Sequence, residues 1–155
     1  RTLKKVRFIP MQTKIVTVDL DSRSYDIYIG TGLLYRGAEL LDLTNRSVFI
    51  VTDQNVHHYA TNIRNILLAD EPTKIEIYTL PTGEQTKSFY FAENLISWLL
   101  DKGVNRSSVL IAVGGGVVGD LTGFCASVVM RGIDYVQIPT TLLAQVDSSV
   151  GGKTG

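Results

Sequence analysis

The segment Gly114-Gly115-Gly116-Val117-Val118-Gly119 is the part of this chain best equipped to meet an anion. Glycines stand at the three marked positions of a G-x-G-x-x-G pattern. Residues without a Cβ let the backbone approach a diphosphate closely, and the first-turn amides and dipole of a following helix favour its charge. A buried-type apolar run, Ser108 to Val113, leads in. A run of small and apolar residues, Asp120 to Met130, leads out as a helix. That strand-to-helix context is what the pattern requires. The same residues can also make a tight turn that holds no ligand, so the pattern leaves both readings open.

The acidic residue that completes a common dinucleotide site ends the strand after the glycine loop. Here that strand ends in Ile138-Pro139-Thr140. The acid at a strand terminus is Asp53, far upstream, after Val48 to Val51. It can face a ribose if its strand neighbours the glycine-loop strand, or it can cap the helix that follows. Gly152-Lys153-Thr154 resembles the end of a phosphate-binding Walker loop. The glycine that loop needs five residues earlier is Asp147, whose charge repels phosphate, so nucleotide hydrolysis of that type is a poor reading. Adjacent His57 and His58 point to different sides of a helix, and with a single cysteine no metal-ligand spacing exists in the chain. Cys125 and Trp98 read as core residues. Glu84 and Lys87 sit three apart at a helix entry and can be a solvated pair. Arg131-Gly132 can satisfy carbonyls at a helix end.

These residues need a scaffold, and the patterning supplies one. Lys14 to Leu20 and Tyr25 to Gly30 read as a β-hairpin across Asp21-Ser22-Arg23. Leu33 to Leu43 can form a short helix with Leu33, Leu34, Leu40 and Leu41 inward. Ser47 to Thr52 is a continuous apolar run, the mark of a strand covered on both faces. Val56 to Leu68 has helical spacing, and Lys74 to Leu80 alternates as a strand. Thr86 to Lys102 is the strongest helix, with Phe91, Leu95, Trp98 and Leu99 on one face and Gly103 as its stop. Tyr135 to Ile138 is a further strand, and Thr140 to Val146 is helical after Pro139. Strands alternating with helices predict an α/β domain: a Rossmann-like, mostly parallel sheet flanked by helices, with an N-terminal β-hairpin.

The chain has 155 residues, 45% hydrophobic and 19% charged, with 15 basic and 15 acidic residues. This excludes disorder and coiled coil, and net charge +0 argues against a phosphate-backbone binder, so no nucleic-acid partner is expected. No apolar stretch reaches the ~18–20 residues needed to span a bilayer, so no membrane partner is expected. One cysteine suits a reducing compartment, and a cytoplasmic location is expected. Residues 1–10 carry Arg1, Lys4, Lys5 and Arg7 with no acid, and Met11 is a candidate start. We read 1–10 as a leader or an upstream extension, and 11–155 as one domain. The closing Gly-Gly-Lys-Thr-Gly is expected to lead into further chain.

From Gly114 onward the sequence closely resembles the 3-dehydroquinate synthase family. The resemblance is carried by Gly-Asp-Leu-Thr-Gly-Phe at 119–124, by Met130-Arg131-Gly132, and by the run from Gln137 through Pro139-Thr140-Thr141 and Asp147-Ser148-Ser149 to Gly155. Glu84 and Lys87 match the family's Gly-Glu-x-x-Lys. The resemblance implies an N-terminal NAD-binding Rossmann-like domain and a C-terminal, mostly helical domain with a divalent metal, zinc or cobalt. It implies conversion of 3-deoxy-D-arabino-heptulosonate 7-phosphate to 3-dehydroquinate and phosphate, a phosphate-eliminating lyase reaction of the shikimate pathway, toward chorismate and the aromatic amino acids. A homodimer acting on a sugar phosphate is implied as well.

By the same resemblance, Asp53 and Asn55 contact the adenosine end of NAD, and Glu84 and Lys87 its ribose and phosphate region. Gly115, Gly116 and Val117 cradle the diphosphate, with Asp120 toward the nicotinamide. Thr140, Thr141, Leu143 and Ser148 line the cofactor. Asp147 and Lys153 lie where cofactor and substrate meet, and Arg131 reaches the neighbouring subunit's substrate phosphate, where a planar cation suits an oxyanion. The family's metal ligands, a Glu and two His, are expected beyond Gly155, so this polypeptide alone is expected to be inactive. The alternatives are a sibling sugar-phosphate cyclase such as a 2-deoxy-scyllo-inosose synthase, an isolated non-catalytic NAD-binding module, and an iron- or glycerol-type alcohol dehydrogenase.

Overall fold

The computed structural model describes residues 13–152 and 154. The 1–10 segment and Lys153 lie outside these residues. Strands β1 (Lys14–Val18) and β2 (Tyr25–Ile29) pair antiparallel around a tight helical turn at Asp21–Arg23, with Val18 opposite Tyr25. Ser24 closes that turn. Its hydroxyl accepts from Leu20 N at 2.9 Å and donates to Asp21 O at 2.8 Å.

Four further strands form a parallel sheet: β3 (Ser47–Asp53), β4 (Lys74–Leu80), β5 (Val109–Gly114) and β6 (Asp134–Pro139), in the order β4-β3-β5-β6. The connections carry α2 (His57–Leu67), α3 (Phe89–Asp101) and α4 (Gly116–Val128). A single turn, α1 (Gly37–Leu40), precedes β3.

Side-chain alternation sorts the core into two layers. Val48 and Ile50 of β3 and Val109, Ile111 and Val113 of β5 pack with Ala60, Ile63 and Leu67 of α2. Phe49, Val51, Leu110 and Ala112 pack on the opposite face with Leu95 and Leu99 of α3 and Val118, Leu121 and Cys125 of α4. Both β3 and β5 are therefore apolar on both faces, which is why they read as unbroken runs. Trp98 sits at the edge of the second layer, its ring edge-on to Phe49 at 5.8 Å and tilted against Tyr78 at 5.1 Å.

Several boundaries differ from the sequence expectation, each for a local reason. The helix expected from Thr86 begins at Phe89, because Lys87 and Ser88 leave the helical region, Ser88 being fully extended. The expected Leu33–Leu43 helix is a tight turn at Leu33–Arg36 followed by α1, and it stops where Leu41 becomes extended. Leu34 and Leu41 lean on the α2-side layer, while Leu43, beyond the turn, is the leucine of this segment that is fully buried. The helix expected from Asp120 starts four residues earlier, inside the glycine pattern. It gives way at Val128, and Met130 adopts φ +52°. The stretch after Pro139 closes as a wide π-type turn, Ala144–Ser148.

The second layer depends on close packing of leucines against β3 and β5. Leu95→Ala is expected to lower the unfolding free energy by about 2–5 kcal/mol, read as a lower urea midpoint at unchanged slope. Leu68→Ala, at a half-exposed position, is expected to change it by under about 0.5 kcal/mol.

Candidate functional site

The chain leaves β3 toward β4 on one side of the sheet, then returns past β3 to lay β5 on the other. The carboxyl ends of β3 and β5 are thus the point where strand order reverses, the place where open α/β sheets bind ligands. Asp53 ends β3 and Gly114 ends β5, and the two strands are paired neighbours, Thr52 beside Val113. The condition set for Asp53 is met: its strand adjoins the glycine strand. Its carboxylate also shapes the next turn. Oδ1 accepts from Asn55 N at 2.8 Å and from Val56 N at 3.3 Å. Asn55 is exposed at the same edge.

At β5 the backbone turns at Gly115, which is extended and has no side chain to cap the helix, and α4 begins at Gly116. The amides of this first turn have no acceptor within the helix by construction. Gly115, Gly116 and Val117 are partly exposed, whereas Gly114, Val118 and Gly119 are buried. The glycines divide accordingly. A Cβ at Gly114 would lie 2.6 Å from Val118 Cβ, and one at Gly119 would lie 2.8 Å from Gln137 Oε1, so internal packing accounts for both.

The strand after the glycine turn folds back over it. Thr140 N donates to Gly114 O at 2.9 Å, continuing the β5–β6 pairing. The Thr141 hydroxyl accepts from Ala144 N at 3.2 Å and starts the next turn. Thr141 Cγ2 lies 3.0 Å from where a Cβ at Gly115 would stand, and Ser148 Oγ lies 3.1 Å from the same point at Gly116. Any side chain at 115 or 116 would thus fill the cradle between the α4 amides and the 141–148 segment. The buried hydroxyls of Thr140 and Ser148 find no hydrogen-bond partner among the described residues, nor does that of Thr52. Buried hydroxyls are normally paired. Asp147 and Leu143, on the same segment, are exposed.

Lys87 flanks the start of α4. Its ammonium lies 2.7 Å from Asp120 Oδ2 and 3.6 Å from Glu84 Oε1. Glu84 is well exposed, whereas the Lys87 and Asp120 side chains are only 30% and 19% exposed. The hydrogen bond to Asp120 raises the Lys87 pKa above its ordinary value near 10.5, with the charge of Glu84 adding to it.

Arg131 is not part of this constellation. It follows the far end of α4, whose 13 residues span about 20 Å at ~1.5 Å each. It is exposed, at φ +70°, between Met130 at +52° and Gly132 at +101°. The Cys125 thiol is buried, pushed up to about 12, and rests 3.7 Å from Ala92 O as packing. His57 Nδ1 pairs with the Thr79 hydroxyl at 2.9 Å. Among the described residues no group of three or more His, Cys, Asp or Glu could hold a metal ion, and no helix is long and apolar enough to cross a membrane.

Sequence reasoning overlooked Tyr135 and Gln137. Both face α4 from β6, and the Tyr135 hydroxyl donates to Gly119 O at 2.6 Å. Burial pushes this phenol well above its ordinary value, with Asp120 adding to the shift. Their alternation along β6 was the available signal.

The fold is a parallel α/β domain flanked by helices, with the glycine corner at the strand-order reversal. A family model described as 3-dehydroquinate synthase N-terminal matches residues 77–155, half of the chain and all of the site from β4 onward. The chain belongs to that family. It is 49% identical over 142 residues to a 3-dehydroquinate synthase of Roseobacter denitrificans, covering 90% of this chain and 38% of that protein. The chain therefore spans about two fifths of the length of such relatives. Among solved structures, a 2-epi-5-epi-valiolone synthase from Streptomyces hygroscopicus with NAD+ and Zn2+ bound aligns at TM-score 0.71 and 30% identity, over 89% of this chain and 38% of that one. A 2-deoxy-scyllo-inosose synthase complexed with carbaglucose-6-phosphate, NAD+ and Co2+ shares the fold at TM-score 0.79 and 24% identity, over 87% of this chain and 37% of that one.

The Lys87–Asp120 pair gives a pH signature. With its folded pKa raised, Lys87 adds stability that is fully present below the unfolded value near 10.5 and is lost as pH rises through the raised one. The stability difference between wild type and Lys87→Met is expected to be constant from pH 7 to 9.5 and to shrink above pH 10.5, in urea titrations at each pH. A difference that grows above pH 10.5 contradicts the pair.

Proposed function

We propose that this chain is the NAD-binding part of a 3-dehydroquinate synthase, an enzyme that converts 3-deoxy-D-arabino-heptulosonate 7-phosphate to 3-dehydroquinate and phosphate. The observation that carries the reading is the cradle at Gly115 and Gly116, bounded by unpaired buried hydroxyls at Thr140 and Ser148. A diphosphate fits what is present there: first-turn amides, a helix dipole and a nearby ammonium. When bound, NAD supplies a hydride acceptor that also returns the hydride.

In this reading the amides of Gly115, Gly116 and Val117 bind the diphosphate, and Lys87, held by Asp120, offsets its charge. Glu84 bears on the ribose next to that phosphate. Asp53 and Asn55 orient the adenosine end from β3. Thr140, Thr141, Leu143 and Ser148 wall the cofactor and exclude water, which strengthens each polar contact inside. Asp147 and Lys153 meet the substrate at the reacting end, where hydride transfer requires approach to about 3–3.5 Å. Arg131 lies too far along α4 to serve its own site, which supports its action in a neighbouring subunit of a homodimer, on the departing phosphate. The described residues offer no metal site, and no step is derived through a metal.

The sibling cyclases are the second reading, favoured by the fold likeness to two of them. The higher identity to a named 3-dehydroquinate synthase, 49% against 30% and 24%, favours the first.

Calorimetric titration of NAD into this chain is expected to show one site, weakened about tenfold in Asp120→Ala, the cost of one charge-assisted hydrogen bond. Equal affinity in the variant counts against the assignment. In the longer protein that carries this chain, 3-deoxy-D-arabino-heptulosonate 7-phosphate is expected to be turned over and glucose 6-phosphate is not; the reverse selects a sibling. Arg131→Ala mixed with a second inactive variant is expected to recover part of the activity through hybrid dimers. No recovery sinks the cross-subunit role.

A further inference from the structure

The turn at Gly151-Gly152 follows Asp147 and Ser148 and leads to Lys153. Packing does not hold it: a Cβ at either glycine would meet nothing within 4 Å. Gly151 sits at φ +96°, a conformation open to glycine and strained for other residues. Two adjacent glycines in open space have wide backbone freedom, and some contact must restrict it. That contact comes from the N-terminal hairpin. Gly151 N donates to the Tyr25 hydroxyl at 2.8 Å, joining residues 126 apart in sequence. On its other side the segment is tied to the sheet, where Gln137 Nε2 donates to Ser149 O at 3.4 Å. Within the segment, Val150 N donates to Asp147 O at 2.9 Å and Ser149 N to Ala144 O at 3.1 Å. The 147–151 stretch thus bridges Gly116, reached through Ser148, and β2, reached through Tyr25.

We propose that Tyr25 is a positioning residue. Its phenolic oxygen fixes the Gly151-Gly152 turn and, through it, the Asp147–Ser148 corner that closes over Gly116. The hairpin thereby sets how tightly the corner holds its ligand. The affinity part rests on the dinucleotide reading above; the restraint on the turn does not. Tyr25→Phe keeps the ring and removes the oxygen. Tyr28→Phe, an exposed position on the same strand, serves as the control.

Amide hydrogen exchange of residues 149–152 is expected to accelerate about fivefold in Tyr25→Phe and to stay unchanged in Tyr28→Phe. The urea midpoint is expected to be the same in both. NAD affinity by calorimetry is expected to fall three- to tenfold in Tyr25→Phe alone. Unchanged exchange at 149–152, or equal acceleration in both variants, overturns the restraint. Faster exchange with undiminished NAD affinity overturns the positioning role. If the wild-type chain takes up no NAD, the proposed function fails, and the exchange result still decides whether Tyr25 holds the turn.

Discussion

Everything at this site depends on one pairing, that of β3 with β5 as parallel neighbours whose connections leave in opposite directions. The β3 connection runs through α2 to β4 on one flank, and the β5 connection runs through α4 to β6 on the other. Asp53 and the first turn of α4 then face one gap, although Asp53 and Gly114 lie 61 positions apart in sequence. Burial of both faces of β3 and β5 fixes this pairing, because a register slip would turn Phe49 and Val51 onto the α2 face and break both layers.

Around that gap the glycines divide between packing and open room. Gly114 and Gly119 admit the side chains of Val118 and Gln137. Gly115 and Gly116 leave room between the α4 amides and the Thr141–Ser148 segment. The Lys87–Asp120 pair places a cation at the helix start, where a dipole alone would repel it. The ammonium of Lys87, held in place by Asp120, adds its charge to that of the amides, so charge and backbone geometry both favour an anion.

Much of this was legible in the sequence because it is local. Periodicity located β3, β4, β5 and α3, and the glycine spacing located the turn before α4. The resemblance from Gly114 onward named the family, and the 77–155 match bears it out. What was not legible is set at a distance. The helix α4 starts inside the glycine pattern, where Val118 packs against Gly114. The hydrogen bond from Gly151 N to the hydroxyl of Tyr25 in the hairpin has no local sign in either segment. Arg131 sits among three consecutive residues of positive φ, and its distance from the glycine turn emerges only once α4 is built.

In the proposed function the amides of Gly115, Gly116 and Val117 receive a dinucleotide's diphosphate. Nitrogen-15 resolved spectra of this chain during NAD titration address it residue by residue. These three amides are expected to shift most, together with Thr140, Thr141 and Ser148, while Arg131 and the groove between α3 and α4, lined by Phe89, Ala92, Ile96, Phe124 and Val128, stay unmoved. Shifts centred on that groove, or a silent 115–117 stretch in a chain that binds NAD, contradict it.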